Sequence, residues 1–203
     1  MENLAYKIFM RMFRHPLLLL SRNFISRKNL DWKTSYEIPN TNHNIILSGL
    51  PPDNYLHNNH DNIHYVINMT DEFTYGELIS EFKYKHNKTI YLYKLNKLLI
   101  YQIPVVDYCP PDFDDIMAAI KLLNMFFNSN HPKNVLVHCK SGVGRSATIV
   151  MCYLYYHHRI IINNPKSIDD IHTFIRSKRN QVKDAIKDYD SVHQLVQGID
   201  NMS

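Results

Sequence analysis

From Trp32 onward the apolar residues follow two alternating rhythms. Short runs rich in β-branched and aromatic residues, at Ile45 to Leu47, Tyr65 to Ile67, Leu99 to Val106 and Asn134 to Val137, predict strands. Apolar residues spaced three and four apart predict helices over Phe113 to Phe127, Ser146 to His157, Ile168 to Arg176 and Tyr189 to Ile199. Alternating strands and helices predict an α/β fold with a central, mostly parallel twisted sheet flanked by helices. The Tyr- and Lys-rich stretch from Thr74 to Asn96 keeps neither rhythm, and a helix followed by a strand is one reading of it. The Asn- and His-rich clusters at 40–44 and 58–62 read as polar turns, and no internal repeat is present.

Residues 1–30 differ from the rest. They carry Lys7, Arg11, Arg14, Arg22, Arg27 and Lys28 against a single acid, Glu2. At 100° per residue, Lys7, Arg11 and Arg14 share one face, while Leu4, Ala5, Ile8, Phe9, Met12 and Phe13 share the other. A basic amphipathic helix of this kind reads as a mitochondrial targeting segment or a membrane-surface anchor; the other reading is a first helix packed on the domain. The run Leu17 to Leu20, flanked by Pro16 and Arg22, is far shorter than the ~20 apolar residues a spanning helix needs. The expected division is a targeting or membrane-associating segment over 1–30 and a folded domain over 31–203.

Composition narrows the class. The chain has 203 residues, 45% hydrophobic and 21% charged, with only 5 Gly and 9 Pro, which suits one packed domain and excludes a disordered or fibrous chain. The net charge of +4 is a weak bias toward an anionic partner, and no basic strip interleaved with aromatics marks a nucleic-acid site. Three cysteines with no paired spacing argue against a disulfide-stapled scaffold and for a reducing compartment.

The chemistry concentrates between Val135 and Thr148. An apolar strand ends in His138-Cys139; Lys140-Ser141-Gly142-Val143-Gly144 form a short loop; Arg145-Ser146 open an apolar helix. A loop this short can aim consecutive backbone N–H groups inward, and its glycines permit the backbone angles required. The helix N-terminus adds partial positive charge, and an Arg fork can hold two phosphate oxygens. The same fields lower the pKa of a thiol, so that Cys139 becomes a thiolate aimed at bound phosphorus.

His138, Cys139, Gly142, Arg145 and Ser146 resemble the signature loop of the cysteine-dependent protein tyrosine phosphatase superfamily. The resemblance implies a compact phosphatase fold and a metal-independent reaction without cofactors. It gives Cys139 a phosphocysteine intermediate and Arg145, with residues Lys140 to Gly144, the phosphoryl oxygens. His138 would tune the thiolate, and the Ser146 hydroxyl would help it leave. In the dual-specificity branch the general acid follows the strand before the signature strand, which points to Asp107 in Ile103-Pro104-Val105-Val106-Asp107, with Asp112 as runner-up. Asp112, Asp114 and Asp115 also suit a helix cap and first turn before Phe113 to Phe127.

Within that branch the chain is similar to the mitochondrial phosphatidylglycerophosphate phosphatases. The similarity runs through Asp31-Trp32, Ile46 to Pro51, Val66 to Glu72, Val106-Asp107, Lys140 with Arg145 to Thr148, and Ile175-Arg176-Ser177. It departs from them at Val143, where those proteins carry Arg, near Ser35, where an Arg is missing, and in a longer segment between Glu72 and Val105. The resemblance implies an anionic phospholipid substrate, possession of a membrane contact through 1–30, and a mitochondrial location. The alternatives are a cytosolic dual-specificity protein phosphatase acting on phosphoproteins, and a catalytically silent phosphate-binding module.

Other residues have two readings each. Lys140 either adds charge to the pocket or sits on the loop rim. Glu72 is a candidate to hydrogen-bond the loop. Arg176, Lys178 and Arg179 form either a second basic patch or a solvated helix end, with Arg176 the member expected to support the site. Cys109 is either a redox partner of Cys139 or a bystander; Cys152 reads as core, and Trp32 as a packing anchor. His157, His158, His172 and His193 have no metal-ligand spacing.

Overall fold

A computed structural model describes residues 32–202, apart from 53, 59–60, 86–87 and 165. The amphipathic helix expected within 1–30, with the targeting or membrane role attached to it, lies outside the described residues.

The strands are β1 (Lys33–Glu37), β2 (Asn44–Ser48), β3 (Tyr65–Asn68), β4 (Glu77–Lys83), β5 (Thr89–Leu95), β6 (Leu98–Gln102) and β7 (Asn134–His138). They form one seven-stranded sheet in the order β1-β2-β7-β3-β6-β5-β4. The four central strands β2, β7, β3 and β6 are parallel. Antiparallel pairings extend this core at both edges, β1 on β2 and the β4-β5 hairpin on β6. The helices are α1 (Tyr55–Asn58), α2 (Phe113–Phe127), α3 (Arg145–Tyr156), α4 (Ile168–Lys178) and α5 (Asp190–Asp200).

Alternation along the central strands builds two cores. Ile45 and Leu47 of β2, Ile67 of β3, and Val135 and Val137 of β7 join the cluster beneath helices α2 to α5. Their neighbours Ile46, Val66 and Leu136 point the other way, to a smaller cluster closed by Tyr55 and Leu56 of α1 and by Trp32. Trp32 packs edge-on against Tyr55, with ring centroids 4.5 Å apart. Helix α3 is buried from Arg145 to Tyr155, which explains why its sequence is apolar nearly all round. It runs against β2 and β7 and is enclosed by α2, α4 and α5. Burying each of its large apolar side chains stabilises the fold by about 1.5–3 kcal/mol, before conformational entropy is counted.

Two segments differ from the pattern reading. The strand expected over Leu99 to Val106 stops at Gln102, because Pro104 has no N–H to extend the ladder. The rest of that run crosses beneath the site with Val105 and Val106 buried. The stretch Thr74 to Asn96 contains no long helix; it is the β4-β5 hairpin. Strands β5 and β6 are joined by a tight turn at Asn96-Lys97, with Asn96 at φ +55°, a left-handed angle that Asn tolerates. Most of β5 is half-buried, with only Ile90 buried and only Lys94 exposed, so no apolar face of helical period arises.

Candidate active site

The C-terminal ends of β3 and β7, the segment after β6 and the N-terminus of α3 converge on Cys139. A ligand site at the carboxyl ends of parallel strands follows from this topology, because the connecting loops gather there. Cys139 is 2% exposed, at the end of β7. Its Sγ accepts from the backbone N–H of Gly142 at 3.3 Å and from the Ser146 hydroxyl at 3.2 Å. Burial alone would raise the thiol pKa, but the Arg145 charge and the Ser146 and Gly142 donors outweigh it and hold the thiol below its ordinary range.

The loop from Lys140 to Gly144 is fixed from outside. Gly142 has φ +71°, and a Cβ there would stand 2.5 Å from the Gly49 nitrogen and the Ser48 carbonyl carbon. Only glycine suits that position. The loop carbonyls turn away from the sulfur to outside donors. Arg179 gives Nε–H to the Gly142 carbonyl at 3.1 Å and Nη2–H to the Ser141 carbonyl at 3.3 Å; the Lys183 N–H reaches the Val143 carbonyl at 3.0 Å, and Leu50 N–H the Lys140 carbonyl at 3.0 Å. With its carbonyls occupied outside, the loop presents N–H groups inward, the arrangement of an anion cradle.

Arg145, the first residue of α3, has a side chain only 4% exposed. Glu72 takes the two terminal nitrogens of the guanidinium bidentately, at 3.1 and 3.0 Å. The Val105 carbonyl accepts from Nη1 at 2.8 Å, and Asp107 accepts from Nη2 at 2.7 Å. The fork is thus held flat, with its Nε edge clear of these partners. Asp107 also pairs with Lys140 at 3.3 Å.

The expected site residues are therefore distributed unevenly. Cys139, Ser141, Val143, Gly144, Arg145 and Asp107 line one pocket, together with Tyr108, Cys109, Lys183 and Tyr189. Glu72 meets the signature loop through the Arg145 guanidinium. His138 is fully buried with its Nδ1–H on the Cys139 carbonyl at 3.3 Å, so it contacts the nucleophile's backbone and not its sulfur. Burial lowers its pKa to about 4, against a smaller upward effect of that hydrogen bond. Lys140 turns to Asp107. Asp112 is not in the pocket: it caps α2 in a reciprocal hydrogen-bond pair with Asp115 and binds Lys88 at 2.5 Å.

One expectation is corrected. Arg176 does not support the loop; its guanidinium pairs with Asp184 at the surface. The supporting arginine is Arg179, 3% exposed, which had the features of a solvated helix end. Its contact spans 37 positions in sequence, so no local signal marks it. Lys183 and Tyr189 likewise join the pocket from far along the chain, and Tyr108 joins it beside Asp107. Cys152 is core, with burial pushing its thiol up, and Cys109 lies in the pocket wall. Among the described residues no group of three His, Cys, Asp or Glu side chains is arranged to hold a metal ion, and no helix is long and apolar enough to cross a membrane.

The chain is 30% identical over 93 residues to the phosphatidylinositol 3,4,5-trisphosphate 3-phosphatase cnrN of Dictyostelium discoideum, a match covering 46% of this chain and 14% of that protein. It is 36% identical over 77 residues to the phosphatidylglycerophosphate phosphatase PTPMT1 of Arabidopsis thaliana, covering 37% of this chain and 20% of that one. The chain thus spans a fifth or less of the length of these two relatives. Among solved structures, PTPMT1 in complex with PI(5)P superposes with a TM-score of 0.59 at 19% identity, covering 85% of this chain and 99% of that one, a likeness of fold. The family described as dual specificity phosphatase, catalytic domain, matches residues 55–196. The chain that carries Cys139 in this loop belongs to the dual specificity phosphatase family.

Proposed function

We propose that this chain is a metal-independent phosphomonoesterase that acts through a phosphocysteine and takes phosphatidylglycerophosphate as substrate. The observation that carries the chemistry is the Cys139 sulfur, which receives hydrogen bonds from Gly142 and Ser146 at the floor of a loop whose carbonyls are tied outward.

In the first step Cys139 Sγ forms a bond to phosphorus as the bond from phosphorus to the ester oxygen breaks. Asp107 gives its proton to that oxygen, so the alcohol leaves neutral. In the second step water attacks phosphorus, Asp107 takes a proton from it, and the S–P bond breaks to return the thiolate. Ser146, already on Sγ, stabilises the departing sulfur. The loop N–H groups and Arg145 supply positioning and charge stabilisation, the main requirement of phosphoryl transfer. Glu72 keeps the Nη1/Nη2 edge of Arg145, leaving the Nε side for phosphoryl oxygens; the substrate takes the Nη2 hydrogen from Asp107, which frees that carboxyl to face the leaving oxygen.

The lipid assignment is supported by the Arabidopsis relative and by the Lys183 ammonium in the pocket lining. In this reading residues 1–30 bring the domain, 31–203, to a mitochondrial membrane. The test measures phosphate release from phosphatidylglycerophosphate and from a phosphotyrosine peptide in one buffer containing chelator, with Cys139→Ser as control. Preference for the lipid, reduced on the order of 10⁴-fold in the variant, is expected for a lost nucleophile. Preference for the peptide would overturn the lipid reading, and full activity of Cys139→Ser would overturn the mechanism.

A further inference from the structure

The cations around the sulfur are not equivalent. Arg145 is committed to Glu72, Asp107 and a carbonyl, Lys140 to Asp107, and Arg179 to two loop carbonyls. Lys183 lines the same pocket, and among the described residues its ammonium has no carboxylate partner. Its position is built. Its backbone N–H holds the Val143 carbonyl at 3.0 Å, and His172 Nε2 donates to its carbonyl at 3.2 Å. Its stem passes over Gly144, where a Cβ would lie 4.0 Å from Lys183 Cδ, and its Nζ stands 6.0 Å from the centre of the Tyr108 ring. Tyr108, next to Asp107, is 69% exposed at φ +63°. Lys183 and Tyr108 therefore face each other across the pocket mouth, outside the cradle that takes the reacting phosphoryl group.

We infer that Lys183 is a specificity-determining residue that binds a second phosphate group on the leaving-group side of the substrate. This deepens the function proposed above and rests on its phosphomonoesterase reading. The reacting phosphoryl group is served by the loop and Arg145. A lysine at the mouth, on a stem fixed by backbone contacts and an aromatic face, is placed to read the charge that follows the scissile ester. The substrate class is a phosphomonoester bearing another phosphate, either the phosphodiester of a phospholipid headgroup or the second phosphate of a soluble bisphosphate.

The test compares the full chain with Lys183→Ala and Lys183→Arg on three probes: dioctanoyl phosphatidylglycerophosphate, an inositol bisphosphate, and p-nitrophenyl phosphate. Removing one charge-assisted contact is expected to lower the ratio of kcat/KM for the doubly charged probes over p-nitrophenyl phosphate about tenfold, through KM rather than kcat. Lys183→Arg should restore most of the ratio, and higher salt should shrink the difference between wild type and Lys183→Ala. An unchanged ratio, or equal losses on all probes, would overturn the inference, since a purely structural role moves every substrate alike. If the ratio falls only for the inositol bisphosphate and wild type shows no preference for the lipid, Lys183 is supported and the lipid reading fails.

Discussion

Both oxygens of Glu72 meet Arg145, at 3.1 and 3.0 Å, across 73 positions of sequence. The carboxylate side chain is 1% exposed and the guanidinium 4%, so the pair is sealed from water. A buried pair of this kind orients more than it stabilises, but removing Glu72 leaves the guanidinium with Asp107 as its one carboxylate partner among the described residues.

Glu72→Gln is therefore expected to destabilise the fold by about 1.5–3 kcal/mol, since Asp107 still faces the guanidinium, and to raise KM, because a mispaired guanidinium loses its orientation toward phosphate. Urea midpoints and steady-state kinetics measure the two effects separately. A variant with wild-type midpoint and KM would show that the pair neither stabilises nor positions.

Asp107→Asn removes the proposed acid while keeping its shape. The expected loss in kcat is about 10²- to 10⁴-fold for an alkyl phosphate, whose leaving oxygen needs the proton, and smaller for p-nitrophenyl phosphate. A loss below tenfold on the alkyl ester would remove Asp107 from that role.

His138 makes stability depend on pH. Its pKa of about 4 in the fold lies below the ~6.5 of an unfolded histidine. Between those values the unfolded chain binds a proton that the native one does not, so stability falls as pH drops from about 6.5 to 4, by at most about 3 kcal/mol. Urea midpoints at pH 7 and 4.5 should move further for wild type than for His138→Asn, and equal movement in both would assign the titration to another group.

The parts of this protein whose physics is local could be read directly from neighbouring residues. Val135 to Thr148 specify a strand, a glycine turn and a helix N-terminus in one unbroken stretch, so Cys139, Gly142, Arg145 and Ser146 were legible together. The cap at Asp112 was legible as well, because a carboxylate before an apolar helix serves the nearest N–H groups. Alternating Ile, Val and Leu marked the central strands, which are buried on both faces.

The remaining features depend on packing between distant segments. Whether Arg176 or Arg179 reaches the loop depends on where α4 ends against it; the two are three positions apart, and only Arg179 turns inward. Lys140 and Lys183 are equally charged in sequence, yet one is taken up by Asp107 and the other faces the pocket mouth. The β4-β5 hairpin was hidden because a strand at the sheet edge, exposed along most of its length, carries little apolar alternation. A side chain's partner across the fold is set by packing, and packing leaves no periodic trace at a single position.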